Sequence, residues 1–215
     1  MANTEKRKLK TEPKLNISLN EEQKEVVRAL YEHDVVFAVG RWGSGKTMAA
    51  VAAALKAFRK KEFDEIIITR PFIHDKLGAL PGGVLEKLYL EMQPLLDNFN
   101  RCQAKNTTEK MLSSEEIKVQ YNGKVKGNTF SNAICICDEA QDLTRTEFIE
   151  MITRLGKRSK IIFTLSEEQI HKNIGKDSCY YMLKKLKESG IVGWVELKSN
   201  HRNTIITKIT DYLGI

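Results

Sequence analysis

Short apolar runs alternate with longer amphipathic segments along most of the chain. A short run without polar positions is typical of a strand buried on both faces of a parallel sheet, and such runs occur at residues 35–39, 66–69, 133–137, 160–164 and 194–197. Apolar spacings of three and four, or a high alanine content, predict helices at residues 18–31, 48–59, 84–99, 147–155, 178–189 and 204–213. This alternation predicts an α/β fold, with a mostly parallel sheet of about five strands and helices on both faces.

Two local signals add detail to this prediction. Ser18-Leu19-Asn20-Glu21 is a capping-box pattern, so we expect the first helix to begin there. Residues 100–132 are less regular. Within them, residues 117–121 followed by Asn122-Gly123 predict a hairpin, because Asn-Gly suits a type I′ turn.

Length and charge favour one domain with an affinity for polyanions. The chain has 215 residues and a formal net charge of +7. We expect residues 1–15 to form a basic flexible tail, which in many proteins is only solvated, and residues 16–215 to form a single domain. No run of about eighteen apolar residues and no signal peptide is visible, so we expect a cytoplasmic protein without a membrane partner.

The four cysteines show no C-x-x-C metal spacing. Cys135 and Cys137 lie within an apolar run, where free cysteines usually pack in the core. We therefore expect reduced, buried thiols.

The strongest chemical signal is Gly40-Arg41-Trp42-Gly43-Ser44-Gly45-Lys46-Thr47, which matches G-x-x-x-x-G-K-[ST]. The glycines let backbone N–H groups curve around a phosphate, and the following helix offers its positive N-terminus to the same anion. Lys46 is expected to reach the β- and γ-phosphates, and the Thr47 hydroxyl to bind Mg²⁺. The segment lies between a predicted strand and a predicted helix, as the motif requires, so an ordinary glycine-rich turn is the weaker interpretation.

A second signal is the pair of carboxylates that ends the predicted strand at residues 133–137. Two acidic side chains at the end of a buried strand need a cation nearby. We predict that Asp138 holds Mg²⁺, directly or through water, and that Glu139 deprotonates the attacking water.

Gln23 lies seventeen residues before Gly40. A glutamine amide can donate to and accept from the N6 and N7 edge of adenine. If Gln23 does so, ATP is preferred over GTP; the alternative is a solvent-facing residue of the first helix.

Together these segments resemble the PhoH-like ATPases, a family related to the core of superfamily 1 helicases. The resemblance covers residues 16–214 and rests on LNEEQ at 19–23, GRWGSGKT at 40–47, ITRP at 68–71, LGALPGGVLEKL at 77–88, DEAQD at 138–142 and TRLG at 153–156. It implies a RecA-like P-loop fold, ATP and Mg²⁺ as cofactors, and helicase- or translocase-type activity on RNA or another single-stranded nucleic acid.

The chain departs from the family pattern after the strand at residues 160–164. The family usually has Thr-Gly-Asp before a glutamine, whereas this chain has Thr164-Leu165-Ser166, with Gln169 at the family spacing. The resemblance makes Gln169 a catalytic candidate and leaves open whether Glu167 replaces the lost aspartate. Residues 126–129 also resemble an arginine-rich family segment without its arginines, so the departures favour a divergent member of the kind that a phage encodes.

Phosphoryl transfer usually needs an arginine to meet the charge that develops on the transferred group. Arg202 is the favoured candidate, because Asn200-His201-Arg202-Asn203 resembles the helicase motif that senses the γ-phosphate. Arg70 and Arg154 are the alternatives, and each of the three arginines is as readily a structural salt-bridge partner.

Three functions fit these features. The first is an ATP-driven motor on single-stranded RNA or DNA, with Phe72, His74 and Lys76 on the nucleic-acid path. The second is an ATP-dependent regulator or ribonuclease-associated ATPase, and the third is a nucleotide-binding module with little hydrolysis. A helicase-type site usually lies between two similar domains, so a chain with one such domain favours a homo-oligomer, in particular a hexameric ring, over a monomer with an open site.

Overall fold

The structure is a computed structural model that describes residues 14–71, 84–120, 129–166 and 179–200, together with positions 205, 208, 209 and 212. Its strands are β1 (Val35–Gly40), β2 (Glu65–Thr69), β3 (Ile117–Val119), β4 (Ala133–Cys137), β5 (Lys160–Leu165) and β6 (Gly193–Leu197). Its helices are α1 (Glu21–Glu32), α2 (Lys46–Arg59), α3 (Val84–Cys102), α4 (Lys105–Ser113), α5 (Arg145–Thr153) and α6 (Tyr180–Ser189). A short 3-10 turn at Ala140–Asp142 follows β4.

The described strands form one six-stranded sheet in the order β3-β2-β4-β5-β1-β6, and every pairing is parallel. This confirms the predicted α/β fold. The sixth strand, β3, comes from the segment predicted to form a hairpin. It pairs with β2, and Ile117 lies opposite Ile66 at the start of the pairing. The expected turn at Asn122-Gly123 lies outside the described residues.

The core has one apolar layer on each face of the sheet. On one face, α2 uses a run of buried alanines, and side chains this small let the helix lie close to β1, β4 and β5. On the other face, Phe37 of β1 stacks on Phe163 of β5 with ring centroids 5.1 Å apart. Cys135 and Cys137 of β4 are fully buried, as predicted.

The first helix begins two residues later than the sequence pattern indicates. Asn20, not Ser18, is the N-cap: its side chain accepts a hydrogen bond from the Gln23 N–H, and the Gln23 side chain accepts one from the Asn20 N–H. Asparagine is at least as good a cap as serine, and glutamine fills the reciprocal role as well as glutamate does. The predicted capping box was therefore the right motif in the wrong register.

Two further differences are a helix that the sequence did not predict and a residue of the predicted tail that belongs to the core. Helix α4 was not predicted, because its Asn and Thr residues favour helices only weakly and Ala104 caps it without a side-chain hydrogen bond. Leu15, which we assigned to the tail, is buried in the core, and the Lys14 carbonyl beside it accepts a hydrogen bond from Arg59 at 2.5 Å.

Within the described ranges, no helix is both long and apolar enough to cross a bilayer. The described positions 205, 208, 209 and 212 are helical, in line with the helix predicted at 204–213.

Candidate functional site

The site lies at the carboxyl edge of the sheet, where β1, β5 and β4 end side by side. Loops at this edge of a parallel sheet commonly bind ligands. Because β5 separates β1 from β4, the end of β5 lies between the phosphate loop, residues 40–47, and the two carboxylates.

The phosphate loop has the backbone that its glycines allow. Gly43 and Gly45 have φ values of 78° and 83°, in the left-handed region that favours glycine. Gly45 is also the N-cap of α2, without a side-chain hydrogen bond, so the first N–H groups of that helix are left for a ligand.

Lys46 and Ser44 are both buried in this loop. The Lys46 ammonium donates hydrogen bonds to the carbonyls of Gly40 at 2.9 Å and Arg41 at 3.0 Å, which holds it inside the loop. Ser44 Oγ is buried without a hydrogen-bond partner among the residues that the structure describes. A buried cation beside an unsatisfied hydroxyl suits an anion bound within the loop.

Two side-chain hydroxyls donate to one oxygen of Asp138. Thr47 Oγ1 donates to Asp138 Oδ1 at 2.9 Å, and Thr164 Oγ1 of β5 donates to the same oxygen at 2.5 Å. The backbone N–H of Glu139 donates to Thr164 Oγ1 at 3.2 Å. The Thr164 hydroxyl therefore joins the two acidic residues to the central strand.

Burial raises the pKa of the Asp138 carboxyl, and the hydrogen bonds from Thr164 and Thr47 counteract only part of this effect. The neighbouring Glu139 raises the pKa further, whereas Arg70 lowers it. The net upward shift means that the ionised form lacks compensating positive charge, which a bound cation would supply.

Glu139 is held in an uncommon conformation. Its φ of 55° lies in the left-handed region, where residues other than glycine are rare. Gln141 Nε2 donates to Glu139 Oε2 at 2.5 Å, and the Ser166 N–H donates to Gln141 Oε1 at 3.1 Å. Arg70 Nη2 lies 4.0 Å from Glu139 Oε1. These contacts fix the carboxylate beside the phosphate loop.

The residues at this edge fit a magnesium nucleotide. The Thr47 hydroxyl and the Asp138 carboxylate are oxygen donors that Mg²⁺ prefers, and they already lie within 2.9 Å of each other. No cluster of three or more histidine, cysteine or acidic side chains, the kind that holds a metal with protein ligands alone, occurs in the described ranges. A cation here would thus share its coordination with phosphate and water, as Mg²⁺ usually does.

A cleft of about 680 Å³ opens beside the loop. It is lined by Ile17, Ser18, Gln23, Trp42, Gly43, Gly45, Lys46, Thr47, Met48, Asn98, Arg101 and Glu139. Gln23 is only 6% exposed, so the interpretation as a solvent-facing helix residue was wrong.

One predicted candidate, Arg154, is not brought into this arrangement. Arg154 caps the C-terminus of α5, and its carbonyl accepts from Phe130, which precedes β4, so it lies at the amino edge of the sheet, away from the loop. Gln169 and Arg202, as well as Phe72, His74 and Lys76, lie outside the described residues.

Thr164 and Gln141 stand within the motifs described above, but the sequence alone predicts no role for either residue. Their hydrogen bonds join segments that follow different strands, and strand order cannot be read from one sequence. The available signal was chemical: each is a polar residue near the end of a buried apolar strand, Gln141 beside the acidic pair and Thr164 one strand later in the chain.

Known proteins resemble this chain in sequence. The family described as PhoH-like protein matches residues 17–213. A PhoH-like protein of Bacillus subtilis is 32% identical over 194 residues, which cover 88% of this chain and 61% of that protein. Protein PhoH of Escherichia coli is 34% identical over 150 residues, or 68% of this chain and 42% of that protein. The chain thus spans about half the length of these curated relatives.

Solved structures share the fold at low identity. The large terminase from a thermophilic bacteriophage has a TM-score of 0.55 at 11% identity, covering 91% of this chain and 50% of that chain. The Sulfolobus solfataricus SWI2/SNF2 ATPase core in complex with dsDNA has a TM-score of 0.52 at 11% identity, covering 87% of this chain and 46% of that chain. These likenesses place the sheet and its loop among the folds of P-loop ATPases.

Proposed function

Because the chain belongs to the family of PhoH-like proteins, we propose that it binds and hydrolyses ATP and acts as a motor on single-stranded nucleic acid, with RNA as the favoured substrate. The observation that carries the proposal is the contact between the loop and the acidic pair, in which Thr47 Oγ1 lies 2.9 Å from Asp138 Oδ1. A glycine-rich turn with a structural role has no need of a buried lysine and a shared carboxylate.

In the proposed reaction, the phosphates of ATP bind to the backbone N–H groups of the loop. The Lys46 ammonium gives up its bonds to two loop carbonyls and donates to phosphate oxygens instead. Thr47 and Asp138 would hold Mg²⁺, which would supply positive charge to offset that of the bound phosphates.

Glu139 accepts a proton from the attacking water, and Gln141 keeps its carboxylate oriented. Arg70, which already lies 4.0 Å from that carboxylate in the same subunit, is a candidate to meet the charge on the transferred group. Gln169 and Arg202 remain the catalytic candidates that the family resemblance implies.

A preference for ATP follows from the orientation of the Gln23 amide. Its Oε1 accepts from the Asn20 N–H at 3.1 Å, which leaves Nε2 as a donor and one further lone pair on Oε1. Adenine offers an acceptor at N7 and a donor at N6, so it can satisfy both groups. Guanine offers two acceptors there and leaves the oxygen unpaired.

Nucleic-acid binding is supported by the net charge of +7 and by the relation of the family to helicase cores. The test is the ATPase rate with and without single-stranded RNA and single-stranded DNA, with Lys46→Ala as the inactive control. We expect RNA to stimulate hydrolysis more than DNA does. An ATPase rate that neither polymer changes would contradict the motor function and would favour the ATP-dependent regulator instead.

One observation favours the alternative of a nucleotide-binding module with little hydrolysis. Ser166, at the position of the family aspartate, is buried, and its Oγ has no partner within the described part of the chain. A single-turnover measurement separates the two functions: bound ATP that persists for hours would favour the module.

A further inference from the structure

The cleft beside the phosphate loop extends beyond the motifs. At about 680 Å³ it reaches α3, where Asn98 and Arg101 line it. These two residues are three positions apart, so they lie on the same face of the helix. Neither residue belongs to a motif identified in the sequence, and neither has a role in the reaction described above.

A backbone hydrogen bond joins the segment before α1 to the C-terminal end of α3, and a side-chain contact joins that end to α2. The Asn16 N–H donates to the Cys102 carbonyl at 2.8 Å, and Cys102 Sγ contacts Met48 Sδ of α2 at 3.4 Å. Ile17, next to Asn16, lines the same cleft as Arg101. The lining of the cleft therefore combines residues of α1, α3 and the segment before α1 with residues of the phosphate loop.

Two side chains at the cleft lack a structural explanation. Trp42, on the phosphate loop, is 39% exposed, although an indole of this size is usually more deeply buried. Arg101 is exposed and forms no ion pair with an acidic side chain of the described residues. An exposed aromatic ring and an exposed guanidinium on one cleft are groups that stack on a nucleobase and donate to its ring nitrogens or to a ribose oxygen.

We propose that Arg101 and Trp42 bind the nucleoside half of ATP, Trp42 by stacking and Arg101 by hydrogen bonding. This inference rests on the proposed function, because it assigns further residues to the same nucleotide site. The phosphates are taken by Lys46 and the loop, and the base edge by Gln23, so the groups left for Arg101 are the ribose and the second edge or face of the base.

The experiment compares ATP with inorganic tripolyphosphate, both with Mg²⁺, by calorimetry on the full chain. If Arg101 contacts the nucleoside, Arg101→Ala weakens ATP binding about tenfold or more, the loss expected for a hydrogen bond from a charged group. Tripolyphosphate binding stays unchanged, because it lacks the nucleoside. Arg101→Lys should restore only part of the affinity, since an ammonium group lacks the planar shape and the paired N–H donors of a guanidinium. Arg28→Ala, which removes an exposed arginine of α1, is the matched control.

A second readout follows Trp42 directly. In a Trp194→Phe background Trp42 is the sole tryptophan, so its emission should change on addition of ATP and not on addition of tripolyphosphate. Equal ATP affinity in Arg101→Ala and the parent, or a Trp42 signal that responds to single-stranded RNA but not to ATP, would overturn the inference. A parent protein that binds neither ATP nor tripolyphosphate would instead refute the proposed function, and this inference with it.

Discussion

Two hydroxyl groups donate to one oxygen of Asp138, and they come from two different elements. Thr47 belongs to the helix after the phosphate loop, whereas Thr164 belongs to β5. Burial raises the pKa of Asp138, and these two donors, together with the charge of Arg70, favour its ionised form. Thr164 is therefore a positioning residue for the Asp138 side chain and for the backbone of Glu139.

Replacing Thr164 tests that role. Thr164→Val keeps the shape but removes the hydrogen bond to Asp138 and leaves the Glu139 N–H unpaired. We expect the free energy of unfolding to fall by about 1–3 kcal/mol and the ATPase rate by about tenfold. Chemical denaturation and steady-state kinetics measure the two effects, and Thr164→Ser, which keeps the hydroxyl, should restore both. A fully active valine variant would rule out a positioning role.

Glu139→Gln separates binding from chemistry. The amide keeps the size of the side chain but cannot accept the proton of the attacking water. We expect ATP affinity to persist and turnover to fall by at least about 100-fold. Lys46→Ala should instead lose both, because the phosphate contacts disappear. Hydrolysis at the parental rate by Glu139→Gln would mean that another group is the base.

The sequence was enough to identify the residues with strong chemistry, but not their neighbours. Asp138 and Glu139 stand out because a buried strand seldom ends in two carboxylates. Gln141 and Ser166 are not recognisable in this way, because their hydrogen bond joins segments that follow different strands. Such contacts depend on which strands are adjacent.

At the scale of elements, Gly40 of β1 lies opposite Leu197 of β6 with no room for a side chain. A Cβ built on Gly40 would lie 2.4 Å from the Leu197 carbonyl and 2.6 Å from Ser44 Oγ. The first of these is backbone of the paired strand and cannot move away cheaply. The residue that begins the phosphate loop is thus also a packing requirement of the sheet.

Gly40→Ala should therefore weaken the protein even without nucleotide. We expect a loss of about 1–3 kcal/mol in the free energy of unfolding, the range found for overpacked sites. Thermal unfolding of the nucleotide-free protein measures this loss. Gly190→Asn is a matched control, because its added Cβ meets nothing within 4 Å and asparagine tolerates the left-handed φ of 67°. Equal stability of Gly40→Ala and the parent would contradict the close approach.

Elements with a regular pattern were predicted within a few residues, and those without one were missed. The alanine-rich α2 and the apolar β4 leave little ambiguity. Helix α4 has too few apolar positions to show a period, and β3 has three residues. The two-residue shift at α1 arose because Ser18 and Asn20 are both acceptable caps, and only packing chooses between them.

At the scale of the whole molecule, all four cysteines are buried. Burial raises the pKa of Cys179 to about 11 and that of Cys102 to about 12, and it raises those of Cys135 and Cys137 as well. Because the thiolate is the reactive form, we expect almost no reaction with a disulfide reagent at pH 8 until the protein unfolds. A thiol that reacts rapidly in the folded protein would contradict this burial.

The hexameric ring that the sequence favours is tested by mixing inactive variants. If Arg202 acts across a subunit interface, Lys46→Ala and Arg202→Ala subunits should restore part of the ATPase activity when combined. Arg70 lies beside Glu139 of its own subunit, so mixing Lys46→Ala with Arg70→Ala should give no rescue. Light scattering with ATP and Mg²⁺ gives the assembly mass, and full activity at the monomer mass of 24.5 kDa would exclude the ring.

The strand order has a consequence for how the protein is made. β1, which carries the phosphate loop, is paired with β5 and β6, the last two of the described strands to leave the ribosome. Parallel pairing of strands distant in sequence forms late, because a long stretch of chain must close first. During most of its synthesis the growing chain therefore exposes the phosphate-loop sequence without a sheet to shape it. A nascent chain that stops before β5 should therefore lack the proposed nucleotide site, and nucleotide retention should appear only once β5 and β6 have emerged.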